Sequence, residues 1–146
     1  MFPLHVLVVE DHPDSALALT HLLRFYGHRT QIADSCYRAK QMFAAERFDV
    51  VLCDLGLPDG DGCDLLRELL AIAPVKALAI TGFGMNDDVA RTREAGFLAH
   101  ITKPVVADRL RILLGELAIQ IARESIAHEG KRRAAGPVRI DTASVA

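Results

Sequence analysis

Short apolar runs alternate with longer amphipathic stretches along most of the chain. The apolar runs lie at residues 4–9, 28–33, 49–54, 77–80 and 98–101. Runs of this length without regular polar alternation are typical of strands buried on both faces of a parallel sheet. The run at residues 28–33 is more polar than the others, which suits a strand at the edge. The pattern therefore predicts five strands.

Helical periodicity fills the intervals between these strands. Pro13 suits the first position of a helix that ends before Gly27, and Asp34 or Ser35 can cap a second helix. Two more helices are expected at about residues 63–72 and 86–95, and a fifth carries apolar residues at helical spacing as far as residue 121. Strands that alternate with helices predict an α/β fold, a doubly wound parallel sheet with helices on both faces.

The periodicity ends near residue 125. Residues 125–146 are small and polar, and Gly136 and Pro137 interrupt them. We predict one folded domain over residues 1–124 and a polar, flexible tail over residues 125–146. The tail holds four basic and two acidic residues, whereas the whole chain has a formal net charge of −2. We therefore expect no direct binding of nucleic acid by the body of the protein.

Composition and cysteine usage indicate a cytoplasmic protein. The chain is 51% hydrophobic and 25% charged, as in globular domains, and no apolar run approaches the ~20 residues of a membrane span. Nothing before the first strand has the basic and apolar regions of a signal peptide. Cys36, Cys53 and Cys63 are odd in number and scattered, which favours a reducing compartment. We expect no contact with membranes.

Polar side chains stand at or just beyond the carboxyl ends of four predicted strands: Glu10, Asp11, Asp54, Thr81 and Lys103. Because the carboxyl ends of parallel strands share one edge of a sheet, we expect these side chains to meet in space. Three neighbouring carboxylates repel one another unless a cation lies among them, and Mg²⁺ with oxygen ligands suits such a cluster. The hydroxyl of Thr81 and the ammonium of Lys103 beside the metal favour the binding of a tetrahedral dianion. The set indicates phosphoryl transfer to a carboxylate.

Four motifs give the chain a resemblance to the receiver domains of two-component response regulators. They are VVEDHP, DLGLPDGDG, ITG and AGF…ITKP, in this order and each at a predicted strand end. The resemblance extends over residues 4–122. It implies a flavodoxin-like (βα)5 fold with strand order 2-1-3-4-5. It also implies that Asp54 is the phosphoacceptor, with Mg²⁺ held by Glu10, Asp11, Asp54 and the backbone carbonyl of Gly56.

Further roles follow from the same resemblance. Thr81 corresponds to the switch hydroxyl and Lys103 to the partner of the phosphoryl group, and the Lys103–Pro104 peptide bond is expected to be cis. The chain departs from the family at His100, where a switch Tyr or Phe is usual. A half-buried structural histidine and a switch side chain are both open interpretations of His100. The other histidines show no ligand spacing, and we interpret them as incidental: His5, His12, His21, His28 and His128.

The resemblance implies a signalling switch rather than an enzyme. A sensor histidine kinase or phosphotransfer protein would phosphorylate Asp54, and the face formed by the fourth helix, fifth strand and fifth helix would then bind a downstream protein. A phosphorylation-dependent homodimer is one form of that contact. We expect either a stand-alone receiver or the receiver of a hybrid kinase. Two alternatives are a pure interaction module and an aspartyl phosphatase. The phosphatase would need an acid two residues after Asp54, where Gly56 stands.

Overall fold

The computed structural model describes residues 3–82 and 89–145, with side chains described as far as residue 130. Five parallel strands form the central sheet: β1 (His5–Val9), β2 (Arg29–Ala33), β3 (Val50–Asp54), β4 (Lys76–Thr81) and β5 (Ala99–Thr102). Five helices connect and follow them: α1 (Pro13–Phe25), α2 (Cys36–Ala45), α3 (Gly62–Ile72), α4 (Val89–Ala95) and α5 (Ala107–Val145). The strand order β2-β1-β3-β4-β5 confirms the predicted fold class and order.

The sheet separates two hydrophobic layers. Successive side chains of a strand point to opposite faces, so Leu7 and Val9 pack with α2 and α3, whereas Val6 and Val8 pack with α1 and α5. Every residue of β1 and β3 is buried. Burial on both faces is why these two segments lack a polar alternation. The more polar β2 lies at the sheet edge, as predicted.

The ends of the helices follow local signals in the sequence. Ser35, rather than Asp34, caps α2, since its side chain accepts a hydrogen bond from the Arg38 amide at 3.1 Å. Gly27 follows α1 with a φ of +92°, a conformation that glycine adopts without strain. The predicted start of the fourth helix, at residue 86, lies outside the described residues. Among the described helices, none is both long and apolar enough to cross a membrane.

A small hairpin occupies the loop after β3, where the sequence predicted only turns. Its strands, Gly56–Leu57 and Gly60–Asp61, pair antiparallel across Pro58 and Asp59. Proline at the second position and glycine at the fourth suit such a turn. We call residues 56–61 the rim hairpin, because it lies beside the carboxyl end of β3.

Helix α5 continues to Val145, where the sequence predicted a flexible tail from residue 125. Its inner face packs on the sheet through Leu110, Leu114 and Leu117, and Lys76 of β4 forms an ion pair of 2.9 Å with Glu124. Residues 123–130 expose their side chains. The prediction followed the loss of apolar periodicity, which reports packing against the body. Helical conformation can continue beyond that packing because Ala, Arg, Lys and Glu are good helix formers.

Candidate functional site

Lys103 joins two carboxylates at the carboxyl edge of the sheet. Its ammonium nitrogen lies 2.7 Å from Glu10 Oε1 and 3.0 Å from Asp54 Oδ2. Glu10 directly follows β1 and is 1% exposed, and Asp54 ends β3 and is 6% exposed. Burial acts to lower the pKa of Lys103, but the hydrogen bonds and charges of the two acids outweigh it and hold that pKa above its usual value. The lysine is therefore a fixed positive charge between them.

The acidic groups form a compact set of oxygen ligands. Ligand atoms of Glu10, Asp11, His12 and Asp54 all lie within 4.8 Å of one another. Asp11 Oδ1 is buried and finds no hydrogen-bond partner among the described residues, although His12 Nδ1 lies 3.4 Å away. Among the described residues, the Lys103 ammonium contacts two of these three carboxylates, and the buried Asp11 Oδ1 is unsatisfied. This donor set fits a hard divalent cation, for which carboxylate oxygens are the preferred ligands.

His12 was expected to be incidental, yet it lies beside this cluster. Its Nδ1 is 3.4 Å from Glu10 Oε2 as well as from Asp11 Oδ1. The side chain is 68% exposed, and its ring nitrogen belongs to the same group of potential ligand atoms as the three acids. Its position directly after Glu10 and Asp11 was the available signal, and the absence of ligand spacing to another histidine obscured it.

The carboxylate of Asp54 is oriented from two sides. Oδ1 accepts a hydrogen bond of 3.0 Å from the Gly56 amide, and Oδ2 faces Lys103. The first residue of α3, Gly62, lies against the backbone here, because a Cβ at Gly62 would come within 2.7 Å of the Asp54 carbonyl oxygen. The phosphoacceptor candidate is thus held by its own loop and by the neighbouring helix.

Thr81 ends β4 on the strand next to Asp54. Strand register pairs Asp54 with Ile80, so Thr81 stands one residue further toward the same edge. Its side chain is buried, and its carbonyl accepts a hydrogen bond of 2.8 Å from the Lys103 amide. The Lys103–Pro104 peptide bond is cis, the isomer that the resemblance implied. Contacts among the described residues join Lys103 to Glu10 and Asp54, and Asp11 lies in the same acidic cluster. Strand register places Thr81 on the neighbouring strand end.

His100 faces α4 in its described contacts. It lies on β5 and is half-buried, and its Nε2 is hydrogen-bonded to Thr92 Oγ1 of α4. The His100 carbonyl accepts a hydrogen bond of 3.0 Å from Arg109 of α5. His100 therefore connects the three elements α4, β5 and α5. These contacts are compatible with a structural histidine and with a switch side chain.

The chain is similar to known receiver proteins in sequence and structure. The family model of the response regulator receiver domain matches residues 6–114. Transcriptional regulatory protein ZraR of Klebsiella oxytoca is 30% identical over 112 residues, which cover 76% of this chain and 25% of ZraR. Response regulator protein PilR of Pseudomonas aeruginosa is 36% identical over 109 residues, covering 74% of this chain and 24% of PilR. The chain thus spans about a quarter of the length of these relatives.

Solved structures agree with the sequence matches. A CheY-like receiver domain protein from Methanospirillum hungatei superposes with a TM-score of 0.75 at 27% identity, covering 84% of this chain and 99% of that protein. NtrX from Brucella abortus superposes with a TM-score of 0.79 at 25% identity, covering 86% of this chain and 29% of NtrX. The shared fold therefore extends over more than four fifths of this chain.

Proposed function

The chain belongs to the response regulator receiver domain family of two-component systems, and on that premise we propose that it is a phosphorylation switch that acts in the cytoplasm. Asp54 accepts the phosphoryl group, and the donor is a phosphohistidine on a sensor histidine kinase or a phosphotransfer protein. The position of Lys103 carries this proposal, since its ammonium bridges Glu10 Oε1 and Asp54 Oδ2 at 2.7 and 3.0 Å.

In the transfer, a carboxylate oxygen of Asp54 attacks phosphorus, the phosphorus–nitrogen bond of the donor breaks, and the imidazole leaves and takes up a proton. Glu10, Asp11, Asp54 and the carbonyl of Gly56 would hold Mg²⁺, which when bound supplies positive charge against the phosphoryl oxygens. The unsatisfied, buried Asp11 Oδ1 supports this ligand set.

Lys103 and Thr81 serve the transferred group. The Lys103 ammonium contacts Asp54 Oδ2. Once that carboxylate has become an acyl phosphate, the ammonium can form an ion pair with a phosphoryl oxygen instead. The hydroxyl of Thr81, one residue beyond the level of Asp54, supplies a donor from the adjacent strand. Both groups act by orientation and charge, so the protein promotes only its own phosphorylation and dephosphorylation and turns over no separate substrate.

Phosphorylation alters the face formed by α4, β5 and α5. Movement of Thr81 toward the phosphoryl group changes the end of β4, which pairs with β5 through Thr81 and Thr102. His100 links β5 to α4, so a shift of β5 reaches that helix through this side chain. A downstream protein, or a second copy of the chain, binds the altered face. We propose no contact with nucleic acid or membrane.

The test is chemical labelling of the intact chain. Incubation with a small phosphodonor and Mg²⁺ should add one phosphoryl group, located at Asp54 by mass spectrometry. Asp54→Asn should abolish labelling with the fold intact, because the amide is isosteric but not nucleophilic. Asp14→Asn, which alters an exposed carboxylate in the first turn of α1, is the matched control and should label normally. Labelling of Asp54→Asn at the level of the unmodified chain would refute the assignment.

A further inference from the structure

The rim hairpin is too short to hold its own position. Each of its strands has two residues, Gly56–Leu57 and Gly60–Asp61, and even longer isolated hairpins are marginal in water. Packing does not fix Gly56 either, because no described atom lies within 4 Å of the point where its Cβ would be. Glycine also has the widest backbone freedom of any residue. Apart from the hydrogen bond of the Gly56 amide to Asp54 and the partial packing of Leu57, the position of the segment therefore depends on polar contacts with the neighbouring helices.

The base of the hairpin has one such anchor in Asp61. Its Oδ1 accepts hydrogen bonds from the Cys63 and Asp64 amides at 2.6 and 3.3 Å, which caps α3. Its Oδ2 lies 2.8 Å from the guanidinium of Arg91 on α4. These contacts fix the strand that leads into α3. The turn at the opposite end of the hairpin needs a separate anchor.

Asp59 provides that anchor on a different helix. Its Oδ1 accepts a hydrogen bond of 2.8 Å from the Cys36 amide, and its Oδ2 accepts one of 3.0 Å from the Tyr37 amide. Both amides belong to the first turn of α2, where backbone donors lack partners within the helix. These two backbone hydrogen bonds hold the pKa of Asp59 below its usual value. The turn also sits close to α2, since a Cβ at Gly60 would lie 3.1 Å from Cys36 Sγ.

From this geometry we propose that Asp59 is a positioning residue for the cation site. It ties the turn of the rim hairpin to α2, and the hairpin pairing passes that restraint to Gly56, whose carbonyl is the backbone ligand in the proposed function. The inference rests on that proposed function. The energy of two hydrogen bonds at an exposed carboxylate is small. Leu57 packs partly against the hydrophobic layer beneath α2 and α3, and the two hydrogen bonds of Asp59 add a restraint at the turn. Restraints of this kind, from groups outside the ligand shell, usually tune metal affinity.

The sequence offers a matched control on the same helix. Ser35 caps α2 by accepting a hydrogen bond from the Arg38 amide, and no described contact joins its side chain to the rim hairpin. Ser35→Ala and Asp59→Ala both remove capping from the first turn of α2, yet only Asp59→Ala releases the hairpin. Asp59→Asn keeps one acceptor oxygen and should fall between Asp59→Ala and the unmodified chain.

The experiment is an Mg²⁺ titration of the full chain and the three variants, followed by the amide resonances of Asp54 and Gly56. We expect Asp59→Ala to weaken Mg²⁺ binding by about tenfold, Asp59→Asn by less, and Ser35→Ala by no more than about twofold. Equal Mg²⁺ affinity in Asp59→Ala and the unmodified chain would overturn the inference. Equal weakening in Ser35→Ala would also overturn it, because the cause would then be the stability of α2.

The same titration separates this inference from the proposed function. An unmodified chain whose Asp54 and Gly56 resonances do not respond to Mg²⁺ would refute the cation site itself. The resonances could instead respond to Mg²⁺ equally in the unmodified chain, Asp59→Ala and Asp59→Asn. That result would leave the cation site intact and refute only the positioning role. If Asp59→Ala does not fold, judged by its far-ultraviolet circular dichroism, Asp59→Asn carries the comparison with Ser35→Ala.

Discussion

Replacement of Gly62 by alanine should destabilise the protein and disturb the phosphoacceptor at the same time. A Cβ at this position would lie 2.7 Å from the Asp54 carbonyl oxygen, 2.9 Å from Leu55 Cα and 3.1 Å from Leu55 Cδ2. The Leu55 methyl group can rotate away. The other two atoms belong to the backbone, so either α3 or the segment that carries Asp54 must shift to relieve the overlap.

Two opposing effects set the magnitude for Gly62→Ala. Alanine is favoured over glycine inside a helix by up to about 1 kcal/mol, and less in the first turn, where Gly62 lies. Overpacking of this kind typically costs about 1–3 kcal/mol. We expect a net decrease of about 1–2 kcal/mol in the free energy of unfolding. The overlap falls on the backbone of the phosphoacceptor, so phosphodonor labelling of Asp54 should also slow.

Urea unfolding of the intact chain measures the effect, with the midpoint decreasing and the slope unchanged. Gly115→Ala is the matched control, since no described atom lies within 4 Å of its added Cβ and the residue sits inside α5. That variant should gain about 0.5–1 kcal/mol through backbone entropy. A Gly62→Ala protein as stable as the unmodified chain would refute the argument from close approach, whatever its labelling rate.

Four further predictions concern metal, pH, switching and signal lifetime. Millimolar Mg²⁺ should raise the melting temperature, because only the folded chain presents the acidic cluster, and Asp11→Ala should abolish the shift. Burial lowers the pKa of His28 below 6.5, so the unfolded chain binds a proton that the folded protein does not, and stability should fall as pH decreases below 6.5. His28→Asn keeps an acceptor for the Leu4 amide, which donates to His28 Nδ1. In this variant, the urea midpoint of unfolding should change less with pH. The ring resonances of His100 should move when beryllofluoride mimics the phosphoryl group, and unchanged resonances would leave only its structural role. Gly56 offers no side chain to orient water, and Phe83, which lies outside the described residues, is bulky and apolar. The phosphoryl group should therefore be lost slowly, and the double variant Gly56→Asn with Phe83→Glu should lose it faster.

Controls and contrary outcomes for the metal, pH and lifetime predictions use the same chain. Asp14→Asn should retain the Mg²⁺ shift in melting temperature, since its carboxylate lies outside the acidic cluster. A pH dependence as steep in His28→Asn as in the unmodified chain would assign the effect to other groups. Loss of phosphate within seconds from the unmodified chain, or an unchanged rate in the double variant, would contradict the lifetime argument without affecting the receiver assignment.

The sequence by itself determined the fold and the edge of the sheet at which its polar residues gather. Strands β1 and β3 are buried on both faces, and such strands read as continuous apolar runs. Parallel strands place all their carboxyl ends on one edge, so polar residues at those ends must gather there. Glu10, Asp54 and Lys103 could therefore be grouped without coordinates. Periodicity reports such arrangements because it reflects burial, which is complete in the central strands β1 and β3 and partial in the edge strand β2.

Only the tertiary structure decided which polar groups pair with which. Asp59 caps α2 although it lies 23 residues from Cys36 in the sequence. No sequence pattern around α2 indicates this contact. The hydrogen bond between His100 and Thr92 depends on how α4 lies against β5. The described side chains of α5 beyond residue 122 are exposed, and Glu124 contacts the body through its ion pair with Lys76. Side-chain hydrogen bonds between distant segments are set by the relative placement of whole elements. Local periodicity and propensity carry no information about that placement, because they report only whether a residue is buried and which backbone conformation it favours.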